Sequence, residues 1–155
     1  MTSESTATPA QQIAAGYATT GEALDLGSVI VDGVVDPAAQ IRIPLSMMNR
    51  HGLVAGATGT GKTKTLQVIA EQLSAAGVPV MMADVKGDLS GLSRPGEVSD
   101  RTSQRAKDTG DDNWTPAPFP VEFLSLGTGG IGVPVRATIS AFGPILLSKV
   151  LGLNA

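Results

Sequence analysis

Gly56-Ala57-Thr58-Gly59-Thr60-Gly61-Lys62-Thr63 decides how this chain is read. The stretch follows G-x-x-x-x-G-K-[ST], in which glycine turns let main-chain N–H groups close around phosphate oxygens. Its flanks carry the matching structural signals. Leu53-Val54-Ala55 is a short apolar run that predicts a buried strand over 52–55. Leu66, Ile69, Ala70 and Leu73 recur at i, i+3, i+4 and i+7, the spacing of one helix face. Strand, glycine turn and helix in this order predict a nucleoside-triphosphate site held by Gly56, Ala57, Thr58, Gly59, Thr60, Gly61, Lys62, Thr63 and Lys64. The positive end of the helix would face the anion. Lys62 is expected to reach the β- and γ-phosphates as the catalytic cation. The Thr63 hydroxyl is expected to hold Mg²⁺, a hard ion that takes oxygen ligands.

Downstream, Gly77 stands where a helix C-terminal glycine belongs, and Pro79 forbids continuation. Val80-Met81-Met82-Ala83 is continuously apolar and ends in Asp84, which predicts a second strand, 78–84, parallel to the first and reached by a right-handed crossover. Ligands in such sheets bind beyond the carboxyl ends of the strands. That geometry puts Asp84 on the edge of Lys62 and Thr63, as a second metal-side residue. Asp88 is a further candidate, and Lys86 reads as solvent-exposed.

The remaining segments frame this core. Residues 1–22 show no clear period and are expected to be a mobile lead-in. Val29-Ile30-Val31 with Val34-Val35, then Ile41, Ile43 and Leu45 beyond Asp36-Pro37, predict two strands joined by a short loop. Gly, Pro, Ser and mixed charge dominate a long loop, 87–118, with a short polar helix over 98–108. Val121 to Leu126 and the alternating Val133, Val135, Ala137 and Ile139 predict a hairpin across the glycine-rich turn Gly127 to Gly132. Gly143-Pro144 opens a helix through Leu151. The fold class expected is α/β, a parallel sheet with helices preceded by a short β segment, with 23–155 as one portion of a domain.

Composition narrows the partners. At 155 residues the chain is long enough for a proper core. A net charge of −3, with 11 basic residues scattered and none before Arg42, gives no electrostatic footprint for nucleic acid. With no cysteine and one histidine, disulfides, thiolate sites and metals other than Mg²⁺ find no support. His51 reads as a hydrogen-bonded structural residue, Arg136 as part of a solvated strand face, and Trp114, Phe119 and Phe123 as cover for a core edge. No basic-plus-apolar leader and no membrane-length apolar run is present, so a cytoplasmic protein without membrane contact is expected.

Several motifs together carry a specific resemblance. They are Asn49-Arg50-His51-Gly52, the glycine loop, Gly77-Val78-Pro79, the D-x-K-G-D segment within Ala83 to Gly91, Pro134-Val135-Arg136, and Gly143-Pro144-Ile145-Leu146-Leu147-Ser148. Over about residues 26–154 the chain resembles the HerA-like bacterial ATPases within the HerA/FtsK group of P-loop motors. The resemblance implies a RecA-like P-loop NTPase core with an additional strand, Mg²⁺ and ATP as cofactors, and ring hexamers whose relatives translocate or unwind DNA. It also implies a longer protein, with an acidic Walker B strand and an arginine finger beyond Ala155. The present residues then read as the N-terminal part of the core, incomplete at the C-terminus.

Other functions compete. Asp84-Val85-Lys86-Gly87 satisfies the D-x-x-G of a GTPase switch, although no N-K-x-D guanine-reading segment accompanies it. A non-hydrolysing, nucleotide-dependent assembly module fits the same loop. A small-molecule kinase is the weakest reading, since nothing marks an acceptor pocket.

Overall fold

A computed structural model describes residues 7–127 and 129–153. The chain divides into two units, Met1–Pro120 and Val121–Ala155. Each is built around a two-stranded sheet, so the class is mixed α/β.

In the first unit, β1 (Ala23–Val31) and β2 (Val34–Pro44) form an antiparallel hairpin. Asp32 and Gly33 connect them with φ of 51° and 79°, the double left-handed turn that matches the twist of a two-residue hairpin. The connection therefore lies at Asp32-Gly33, ahead of the Asp36-Pro37 boundary expected from sequence. Pro37 falls where the register shifts between Ser28 and Val29, a break at which its missing N–H removes no ladder bond.

Helix α1 (Pro9–Ala15) covers this hairpin. Thr8 and Gln11 form a reciprocal capping box with Pro9 in the first turn. Ala10 is buried with Val29 and Ala39, and Ala14, Val31 and Ile41 pack around them. The lead-in expected over 1–22 thus contains a docked helix, and its signal was the Thr8-Pro9-Ala10-Gln11 cap rather than any long period. Residues 1–6 lie outside the described residues.

Helix α2 (Lys62–Ala75) springs from the glycine loop. It closes as anticipated at Gly77: Val78 N–H donates to Leu73 O at 2.9 Å and Gly77 N–H to Ser74 O at 3.0 Å, a Schellman pair. The helix packs on β1 and buries Gln67, Ala70 and Leu73. Leu66, expected on the same face, is 43% exposed, so the buried stripe is rotated toward Gln67.

Helix α3 (Asp100–Asp108) lies within the expected 98–108 segment and starts at a Ser99–Thr102 capping box. Its C-terminal end is fixed to the hairpin. Ser28 Oγ and Gln40 Nε2 each donate to Thr109 O at 2.9 Å.

The two parallel strands expected at 52–55 and 78–84 are not formed. Neither segment is paired in a sheet, and Leu53 and Met81 are 89% and 90% exposed. A buried strand needs ladder partners beside it, and no strand among the described residues pairs with either run. A short apolar sequence without such neighbours does not fix the backbone.

In the second unit, β3 (Leu124–Leu126) pairs with β4 (Val133–Val135), Leu124 opposite Val133 and Leu126 opposite Val135. The pair is parallel, which corrects the hairpin expectation. Alternation reveals which face each side chain takes but not the direction of the partner strand. The main chain at Gly132 returns so close to Phe123 that a Cβ there would lie 2.2 Å from Phe123 O. Val133 N–H then donates to that oxygen at 2.8 Å. Thr128, within the expected turn, lies outside the described residues. β4 ends at Val135, and Ile139, expected on the strand, begins α4 (Ile139–Leu151). The helix is interrupted at Gly143 (φ 65°, ψ 165°), so Pro144 opens its second stretch, as its sequence position suggested.

Candidate functional site

The glycine loop delivers the chain into α2 through two left-handed residues, Gly59 (φ 82°) and Gly61 (φ 94°). Gly61 is the N-cap residue and brings no side-chain acceptor to the first-turn amides. Those N–H groups therefore point outward from the positive end of a 14-residue helix, the arrangement that takes an anion. Residues 56–61 are exposed, whereas Lys62 and Thr63 are half-buried where the helix begins.

Inside the loop, Ala57 O gathers two side-chain donors beside the Thr60 main-chain N–H. Thr60 Oγ1 reaches it at 2.8 Å and Lys62 Nζ at 2.7 Å. The Lys62 ammonium is thus folded over the loop instead of extending into solvent. Gly56 is held close: a Cβ there would lie 2.5 Å from Thr60 Oγ1. The donor set of glycine amides, one ammonium and one hydroxyl fits a polyphosphate with a hard cation. The Gly56 approach is a cradle that a side chain would fill.

Across from the helix start lies the loop 84–89. The Asp84 carboxylate is committed to its own main chain. It accepts from Lys86 N at 3.1 Å, Gly87 N at 2.7 Å and Leu89 N at 3.0 Å. The Leu89 amide leads the interactions that hold its carboxyl below the ordinary aspartate range. Asp88 faces α2: the Thr63 hydroxyl is 3.4 Å from Asp88 Oδ2, and Gln67 Nε2 donates to Asp88 O at 2.9 Å. Of the two acids singled out in sequence, Asp88 is the one brought against Thr63, and Lys86 is exposed as expected.

Gln67 was not foreseen. It is a polar residue only 6% exposed, one turn after Thr63 on the same helix. The available signal was its place between the apolar positions 66 and 70, where a buried amide requires partners. Lys64 does not join the loop. With Gln67, Glu71, Arg94, Trp114 and Phe119 it borders a groove of about 530 Å³ along the other flank of α2. Burial there pushes the Glu71 carboxyl up, with Lys64 opposing. Trp114 and Phe119 cover this flank, consistent with core-edge roles. His51 and Arg136 are exposed.

Among the described residues no cluster of three or more acidic, histidine or cysteine side chains is arranged to hold a metal. A magnesium ion would depend instead on the nucleotide's own oxygens together with one or two protein groups. No helix among the described residues is long and apolar enough to cross a membrane.

A family model described as the helicase HerA-like C-terminal domain matches residues 31–155. No curated protein and no solved structure matches the chain.

Proposed function

The chain belongs to the HerA-like family, and from that premise we propose that it binds Mg²⁺–ATP through residues 56–63 as part of a motor ATPase. The observation that carries this reading is the junction at Gly61-Lys62, where left-handed glycine backbone meets uncapped helix amides beneath the Lys62 ammonium. Glycine-loop amides would bind the phosphate oxygens. Lys62 would exchange its bond to Ala57 O for the β- and γ-phosphates and neutralise charge developing on the transferred group. Thr63 would offer its hydroxyl on the side of the loop that begins at Asp84. Bound Mg²⁺ would supply further charge neutralisation.

Assignment to the P-loop NTPase class rests on this loop-to-helix junction and on family membership, not on a parallel sheet. A ring-shaped homo-oligomer, DNA as the polymer acted upon and a cytoplasmic setting are proposals that rest on family membership alone. Hydrolysis is likewise a proposal that rests on family membership alone.

Competition binding tests the reading. A fluorescent ATP analogue bound by the folded chain should be displaced by ATP at micromolar concentration. GTP should displace it no better. Strong preference for GTP would replace the ATPase reading with a guanine-specific switch.

A further inference from the structure

Thr63 contributes a single neutral oxygen, whereas Mg²⁺ in phosphate sites usually takes one or two carboxylates besides the phosphates. The loop brought against the start of α2 carries two acids, Asp84 and Asp88, and their surroundings separate them. A carboxylate offers about four acceptor positions. Asp84 has filled three of these with the amides of Lys86, Gly87 and Leu89, and those bonds give the 84–89 loop its shape. Asp88 carries no such load on its carboxylate and lies 3.4 Å from the Thr63 hydroxyl.

That separation is informative. Neighbouring ligands of an octahedral ion with ~2.1 Å bonds stand about 3.0 Å apart. It is longer than a strong O–H···O⁻ bond of about 2.5–2.7 Å. The two oxygens form a long hydrogen bond, at a spacing not far from that of adjacent ligands. Closing the gap needs only a few tenths of an ångström.

Gln67 makes the arrangement rigid. Its amide, buried one turn after Thr63, donates to the main-chain oxygen of Asp88 at 2.9 Å. One helix thereby carries both the hydroxyl ligand and the clamp that sets where Asp88 stands. We infer that Asp88, positioned by Gln67, supplies the carboxylate oxygen that completes the magnesium site with Thr63, while Asp84 shapes the loop. The inference rests on the nucleotide-binding reading above.

The test compares ATP affinity of the full chain in magnesium and in chelator, by calorimetry. Wild-type protein should bind more tightly with magnesium. Asp88→Asn should lower the ratio of magnesium to chelator affinity at least about tenfold. Gln67→Met removes the donor at similar volume and should lose part of the magnesium gain. Combined with Asp88→Asn it should lose no more than Asp88→Asn alone, which a merely structural glutamine would not produce. A measurement free of substitutions stands beside these: Mn²⁺ in the wild-type ATP complex should broaden the carboxyl signal of Asp88 more than that of Asp84. A magnesium gain untouched by Asp88→Asn, or stronger broadening at Asp84, overturns the inference. Wild-type protein that binds no ATP in either condition refutes the nucleotide reading itself.

Discussion

Gln72 closes its side-chain amide on the main chain of Asp25, accepting from Asp25 N and donating to Asp25 O, both at 2.7 Å. The β1–β2 register skips Leu26 immediately afterwards, and the glutamine satisfies Asp25 much as a neighbouring strand would. The helix that begins at the glycine loop is thus tied at its far end to the hairpin. Arg42 adds a 2.6 Å ion pair to the Asp25 side chain, but both side chains are about half exposed, so the amide clamp matters more.

Replacing Gln72 with Ala should therefore lower the unfolding free energy by about 1–2 kcal/mol, from two net hydrogen bonds. Urea denaturation followed by the fluorescence of Trp114, the sole tryptophan, reads this directly. An unchanged midpoint would show that the clamp is incidental.

Burial makes a sharper contrast elsewhere. Leu24, 1% exposed, is the largest fully buried side chain among the described residues, whereas Leu66 is 43% exposed. Leu24→Ala should cost about 2–5 kcal/mol and Leu66→Ala well under half as much. Equal losses would restore the helix face expected from periodicity.

That rotated face illustrates what the sequence could and could not reveal. The i, i+3, i+4, i+7 pattern located α2, and Gly77 located its end, because local chemistry dictates both. Whether Leu66 or Gln67 turns inward depends on what lies opposite, here the main-chain oxygen of Asp88. The glycine turn before α2 was legible as a turn, with Gly59 and Gly61 taking positive φ ahead of the helix. Strands over 52–55 and 78–84 were not, because an apolar run specifies a strand only when partners complete its ladder. The parallel pairing of β3 with β4 was hidden for the same reason, and α1 was overlooked because its cap is a four-residue signal without a long period. Asp84 and Asp88 were both visible as acids, but only the amides of 86, 87 and 89 distinguish their surroundings.

At the loop itself, Gly56→Ala would place a methyl 2.5 Å from Thr60 Oγ1. ATP affinity should fall at least about tenfold, near 1.4 kcal/mol. Adding Thr60→Ala removes the clashing oxygen and should recover part of the loss. Affinity in the double variant no better than in Gly56→Ala would indicate that the close approach is not what matters.

Asp84 predicts a pH dependence. Its carboxyl is held below the ordinary aspartate value by main-chain amides, so the folded loop favours the charged form. The associated stabilisation is complete above the unfolded value and is lost as pH falls through the lower folded value. The Gly87 amide resonance should report this transition, shifting below the ordinary aspartate value. In Asp84→Asn the shift should vanish. Titration of the Gly87 signal at or above the ordinary aspartate value would contradict the assignment.

The central claim is that the Gly56–Thr63 loop and the Lys62 ammonium together bind a triphosphate. Calorimetry of the folded chain with ATP at millimolar magnesium tests it most directly. Wild-type protein should give measurable heat, and Lys62→Ala should lose at least about tenfold in affinity, near 1.4 kcal/mol. Equal affinity in the two proteins, or no heat with any triphosphate from folded wild-type protein, would contradict it.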